Sequence, residues 1–163
     1  MAEFARRNYE LTSAFNRDNF ADTAEAAMEW ARYRAETGET ADAVTQIHAA
    51  MPEIRKMYMV GGMLARYVQG SARVYNRAGL FAPAEHNARE ALDAWRHGQL
   101  PEMHPMAAAC LEDLGGALAG LKRYREAIPA LEKSLEIYRG LGPAYAKTAD
   151  RVEVVLNQVR NLQ

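Results

Sequence analysis

The sequence predicts an all-α protein made of antiparallel helix hairpins that stack into a solenoid. Apolar residues recur at intervals of three and four along most of the 163-residue chain, which is typical of amphipathic helices. One such pattern, together with its break, appears twice, 43 residues apart. A repeat of this length indicates stacked units rather than one closed globule.

The clearest hairpin pattern lies in the last third of the chain. Its apolar stripes follow two successive helices: Leu111, Leu114, Leu118 and Leu121, then Ala127, Leu131, Leu135 and Tyr138. We expect Tyr124 to fill the turn, and Gly115, Gly116 and Ala127 to let the two helices approach closely. Gly142-Pro143 predicts the end of the second helix, since glycine caps helices and proline cannot continue one.

An earlier copy of this pattern places Phe81 where Tyr124 stands. Its stripes are Val68, Ala72 and Tyr75, then Ala84, Ala88, Ala91, Leu92 and Trp95. A weaker third copy has Phe20 at the turn. It places Phe4, Leu11 and Phe15 on the helix before the turn, and Ala24, Ala27, Met28 and Ala31 on the helix after it.

Two further segments complete the predicted architecture. Residues 40–62 are expected to be irregular, with a helix starting at Pro52 and a break or kink at Gly61-Gly62. A last stripe predicts a helix over 144–162 that caps the open edge of the stack: Val152, Val155, Leu156, Val159 and Leu162. We therefore expect one domain over residues 1–163 with seven or eight helices, its clearest repeats at 64–98 and 105–140.

Composition argues against several classes of function. The 20 basic and 21 acidic residues nearly cancel, so direct nucleic-acid or membrane binding is not expected. The single cysteine argues against a disulfide framework, and no run approaches the ~20 apolar residues of a bilayer span. We expect a cytoplasmic protein.

The sequence suggests no enzyme, cofactor or metal site. It has no nucleophile-base-acid motif, no phosphate-binding glycine loop and no H-E-x-x-H segment. His86 and Glu90 share a helix face, but two ligands would leave a zinc site half empty.

One polar helix face offers a candidate binding site. Five residues share it by three-and-four spacing: Arg66, Gln69, Arg73, Asn76 and Arg77. Arginine suits carboxylates because its planar guanidinium donates two parallel charge-assisted bonds. The alternative is an ordinary solvated helix face.

The pattern of these repeats resembles the tetratricopeptide repeat. The resemblance rests on Leu111, Leu114-Gly115, Leu118, Tyr124, Ala127, Leu131 and Leu135, and on the matching residues from Val68 to Ala91. The repeat length is similar to that of kinesin-light-chain-type repeats. Ser71 and Ser134 depart from the family pattern, which prefers leucine and alanine there.

The resemblance implies a right-handed superhelical solenoid with a concave groove, lined by the first helix of each hairpin, in which a peptide or partner protein docks. Positions matching Gln69 and Arg73 face that groove in the family, and Glu112 and Gly116 match them one repeat later. We therefore expect a non-enzymatic scaffold that binds a protein or peptide partner, and partners with acidic groups are among those it could bind. Two alternatives stay open: a self-associating regulatory module of a larger protein, and a small-molecule sensor pocket.

Overall fold

The computed structural model describes residues 6–10 and 20–162, and every secondary-structure element in these ranges is a helix. After a helical stretch at 6–10, this part of the chain forms seven α-helices: α1 Phe20–Glu36, α2 Thr40–Met57, α3 Gly62–Arg77, α4 Phe81–His97, α5 Pro105–Gly120, α6 Tyr124–Gly140 and α7 Ala146–Arg160. A 3-10 turn, Pro143–Tyr145, precedes α7. None of the described helices is long and apolar enough to cross a membrane.

The helices pack as three stacked hairpins and a last helix, as the sequence predicts. The hairpins are α1–α2, α3–α4 and α5–α6, and their first helices α1, α3 and α5 lie side by side. One apolar cluster runs through the whole stack, from Ala24 to Val159. First helices begin at residues 20, 62 and 105, so successive units are spaced by 42 and 43 residues.

The same three-residue turn closes every hairpin. Its middle residue adopts a left-handed conformation in each case: Gly38 (φ 96°), Gly79 (φ 72°) and Lys122 (φ 61°). The following N–H then donates back into the preceding helix, as from Leu80 to the Tyr75 carbonyl at 2.9 Å. This Schellman-type closure satisfies carbonyl groups that a helix end would otherwise leave unpaired.

Two glycines of α5 are explained by close packing. A Cβ at Gly115 would lie 2.6 Å from Leu131 of α6, which confirms the predicted close approach within the hairpin. A Cβ at Gly120 would lie 2.3 Å from the Phe81 ring, so Phe81 fills the gap between successive hairpins. Each glycine inside a helix costs about 1 kcal/mol relative to alanine, and tight packing offsets that cost here.

The amino-terminal hairpin differs from the predicted one. Helix α1 pairs with α2 and lies beside α3, so it holds the first-helix position and not the predicted second-helix position after a turn at Phe20. Phe4, Leu11 and Phe15 lie outside the described residues. That the whole chain forms one domain therefore stays a prediction.

The helix start expected at Pro52 is also wrong, because α2 continues through that residue. Pro52 lies on the exposed face, where water can satisfy the carbonyl that loses its helical partner. The predicted break at Gly61-Gly62 is confirmed: α3 starts at Gly62, and Gly61 adopts a φ of 93°.

Helix α7 buries most of its predicted stripe against α6. Val152, Leu156 and Val159 are buried, whereas Leu162 is 62% exposed and lies beyond the helix. The expectation for Leu162 is therefore wrong, and the rest of the stripe closes the end of the apolar core.

The two serines that depart from the family pattern form different buried hydrogen bonds. The Ser71 hydroxyl donates to the Val68 carbonyl and accepts from Asn87 Nδ2, both at 2.7 Å. The Ser134 hydroxyl donates to the Ala108 carbonyl across the α5–α6 hairpin at 2.8 Å. The Ser71 hydroxyl thus provides the hydrogen-bond acceptor for a second buried side chain, Asn87. The Ser134 hydroxyl bond meets only the need of the hydroxyl itself for a partner.

We expect Ser71→Ala to lower the free energy of unfolding by about 1–3 kcal/mol, because it leaves the buried Asn87 amide without its acceptor. Ser134→Ala should cost less than about 1 kcal/mol, since the hydroxyl is removed together with its need for a partner. Urea denaturation of both variants measures the difference. Equal losses would contradict this account of the two sites.

Candidate functional site

A cavity of about 490 Å³ opens between the first helices α3 and α5 and the last helix α7. Its wall combines cationic, acidic and apolar side chains: Arg73, Asn76, Arg77, Phe81, Glu112, Asp113, Gly116, Leu131, Arg151 and Val155. We call this space the interhelical cavity. Four of the six predicted site residues line it, namely Arg73, Asn76, Arg77 and Glu112.

Asp113 organises the boundary between α3 and α5. Its buried carboxylate accepts hydrogen bonds from Gln69 Nε2 and, at 3.3 Å, from Arg73 Nε. Its main-chain carbonyl accepts a further bond from Asn76 Nδ2 at 2.8 Å. Three predicted site residues of α3 therefore bind α5 of the same chain.

The pKa values of Asp113 and Arg73 are both raised, for different reasons. Burial raises the pKa of the Asp113 carboxyl above its ordinary value, and the nearby Arg73 guanidinium offsets only part of that rise. The Asp113 carboxylate in turn raises the pKa of Arg73, which stays protonated. Asp113 thus stabilises the charge of Arg73, although the ionisation of Asp113 is itself costly because this carboxylate is buried.

Glu112 joins α5 to α7. Both of its carboxylate oxygens accept hydrogen bonds from the Arg151 guanidinium, Oε2 at 3.0 Å from Nη2. Arg73 Nη2 lies 3.8 Å from the same Oε2. Glu112 is therefore engaged on both sides of the cavity.

Arg77 differs from the other arginines of the wall. It is exposed at the end of α3, and no hydrogen bond or ion pair joins it to any residue of the described ranges. Arg73 and Arg151 both pair with carboxylates of α5. The interhelical cavity thus has one guanidinium with its donors available.

The two other predicted site residues lie apart from the cavity wall. Gln69 is buried between α3 and α5. Arg66 donates to Glu29 of α1 at 2.7 Å, one unit nearer the amino terminus. The residues of the predicted helix face therefore have three different environments. Arg66 pairs with α1, Arg77 is exposed, and the other three residues bind α5.

Asp113 and Arg151 were not among the predicted site residues. Asp113 stands next to Glu112 in the sequence, but nothing there marks it as buried. Arg151 lies on the polar flank of α7, a helix predicted only as a cap. Its spacing of 39 residues from Glu112 falls short of the 43-residue period that relates Glu112 to Gln69.

We expect the stabilising contribution of Asp113 to decrease as pH rises. Its pKa is higher in the folded than in the unfolded chain, so it binds its proton more tightly when folded, and that advantage is lost between the unfolded and the folded pKa. The unfolding free energy of wild type minus Asp113→Asn should therefore be largest near pH 4. Each unit of raised pKa changes it by about 1.4 kcal/mol.

Urea denaturation from pH 4 to pH 8 measures this difference, with Asp150→Asn on the exposed surface of α7 as the matched control. The control should show a flatter profile. A difference that grows with pH would show that pairing with Arg73 outweighs burial.

Comparison with known proteins agrees with the observed fold. The tetratricopeptide repeat family model matches residues 68–140, which span α3 to α6 except for the first residues of α3. The crystal structure of a TPR-like protein from Chlorobium tepidum TLS superposes with a TM-score of 0.68 and 22% identity, covering 85% of this chain and 93% of that one. None of the curated proteins compared with the chain matches its sequence. The chain has a TPR-like fold, and tetratricopeptide repeats generally mediate binding between proteins.

Proposed function

We propose that this protein is a non-enzymatic scaffold that binds a peptide segment of a partner protein in the interhelical cavity. One acidic group of that segment pairs with Arg77. The observation that carries the proposal is the Arg77 guanidinium, which lines the cavity without a partner among the described residues.

The charge balance of the wall supports a ligand with one carboxylate at this point. The wall has three guanidinium groups and two carboxylates, Glu112 and Asp113. Arg73 and Arg151 already pair with those carboxylates, so one positive charge is left. A guanidinium binds a carboxylate through two parallel charge-assisted hydrogen bonds, which favours an acidic side chain or chain terminus.

The remaining predicted site residues have a supporting role in this proposal. Gln69, Arg73 and Asn76 hold α3 against α5, and Glu112 holds α7 over the cavity. Because these contacts exist before any ligand arrives, the wall needs little ordering on binding, which lowers the free-energy cost of association.

The unit spacing of 42 and 43 residues supports assignment to the longer, kinesin-light-chain type of repeat. The cytoplasmic location stays a prediction, as does self-association.

Charge reversal at Arg77 tests the proposal. The probe is a pool of fluorescent decapeptides, each with one glutamate in an otherwise neutral random sequence, and a matched pool has glutamine there. We expect wild type to bind the glutamate pool more tightly, and Arg77→Glu to weaken that binding at least tenfold. Fluorescence polarisation measures both.

Arg125→Glu is the matched control, because Arg125 is exposed, has no ion pair within the described part of the chain and does not line the cavity. It should bind like wild type. Equal binding of the two pools, or equal losses for the two variants, would refute the proposal. Charge reversal at Arg73 is a poorer test, since it would leave the buried Asp113 facing another carboxylate.

A further inference from the structure

The first turn of α5 is capped by a histidine. His104 precedes the helix, and its Nδ1 accepts a hydrogen bond from the Met106 N–H at 3.1 Å. Pro105 lies between them and has no N–H, so Met106 provides the first donor of the helix. Of the helices α2 to α7, α5 alone has a side-chain cap at its start. This cap is a group that titrates near neutral pH.

The His104 ring is held in place by the end of the preceding hairpin. Its centre lies 4.6 Å from the centre of the Trp95 ring of α4, at a tilt of 36°. Trp95 Nε1 donates to the Pro101 carbonyl at 2.9 Å, and the His104 N–H donates to the Glu102 carbonyl at 3.0 Å. The cap therefore lies at the joint between the α3–α4 and α5–α6 hairpins.

His104 has no carboxylate partner within the described residues. The one histidine ion pair of the described chain joins His86 to Glu90. Charged groups on the elements around His104 interact with one another: Asp93 with Arg96 on α4, Lys133 with Glu136 on α6, and Glu102 of the connection with Lys133. No neighbouring charge therefore pairs with the ring and stabilises its protonated form directly.

A second proton on the ring would remove the cap. A neutral imidazole accepts at Nδ1 because Nε2 carries its proton, whereas both nitrogens of an imidazolium are donors. No rotation of the protonated ring could offer the Met106 N–H an acceptor. The new charge would also lie at the positive end of the α5 dipole. Attraction to the Trp95 ring would keep the imidazolium in place without restoring the bond.

We infer that His104 is a pH-sensitive cap, and that proton uptake at its Nδ1 releases the first turn of α5. Imidazoles ordinarily gain this proton at about pH 6.5. The first turn is therefore held at pH 7.5 and released at pH 5. The inference goes beyond the proposed function and needs no ligand, so each can fail without the other.

Amide hydrogen exchange, measured by NMR on the full chain and corrected for the intrinsic effect of pH, tests this inference. We expect the protection of the Met106 N–H to fall at least fivefold from pH 7.5 to pH 5. The Glu126 N–H at the start of α6 is the internal reference, because no side chain caps that helix. Its protection should change less than twofold.

His104→Asn separates titration from capping, since asparagine caps a helix without taking up a proton. Its Met106 N–H should be equally protected at both pH values. His86→Asn, at a side chain that is 77% exposed, is the matched control and should keep the wild-type response. Constant Met106 protection in wild type, or an unchanged pH response in His104→Asn, would overturn the inference. If His104→Asn does not fold, the wild-type comparison of Met106 with Glu126 decides.

Discussion

The arrangement of the cavity depends on one buried carboxylate. An ionised group removed from water is costly unless charged and polar partners surround it, and Asp113 finds those partners on the neighbouring first helix. Gln69 and Arg73 meet its oxygens, while Asn76 meets its main-chain carbonyl. Because a shift of α3 along α5 would leave this charge unpaired, the cluster sets the register of the two helices and the width of the cavity between them.

Ion pairs elsewhere in the stack are exposed and contribute less. Arg55 meets Glu90 on the side of the second helices, and Arg160 meets Glu132 at the last helix, each at 2.6 Å. Such pairs each contribute about 0.2–1 kcal/mol, so the continuous apolar core must supply most of the stability. The buried cluster at Asp113 has another role: it aligns helices that apolar contacts alone would hold less specifically.

The sequence predicted the fold best where apolar spacing and turn residues agreed, as between Leu111 and Tyr138. It failed at α1, which was predicted as the second helix of a hairpin but pairs with α2 as the first, and at Pro52, because proline on the exposed face of a helix is tolerated. For the site, spacing placed Arg73 and Arg77 on one face of α3, and both line the cavity, but it did not distinguish between them. That difference depends on Asp113, 40 residues away from Arg73, and a single sequence does not show such a contact.

Arg73 and Arg151 are already paired with carboxylates of α5, whereas Arg77 has no partner among the described residues and is available to a ligand. NMR of the arginine side-chain Nε–Hε groups can distinguish the three during titration with the glutamate peptide pool. We expect the Arg77 signal to move and to become protected from exchange while the Arg73 signal keeps its position. Movement of the Arg73 or Arg151 signals with an unchanged Arg77 signal would contradict it.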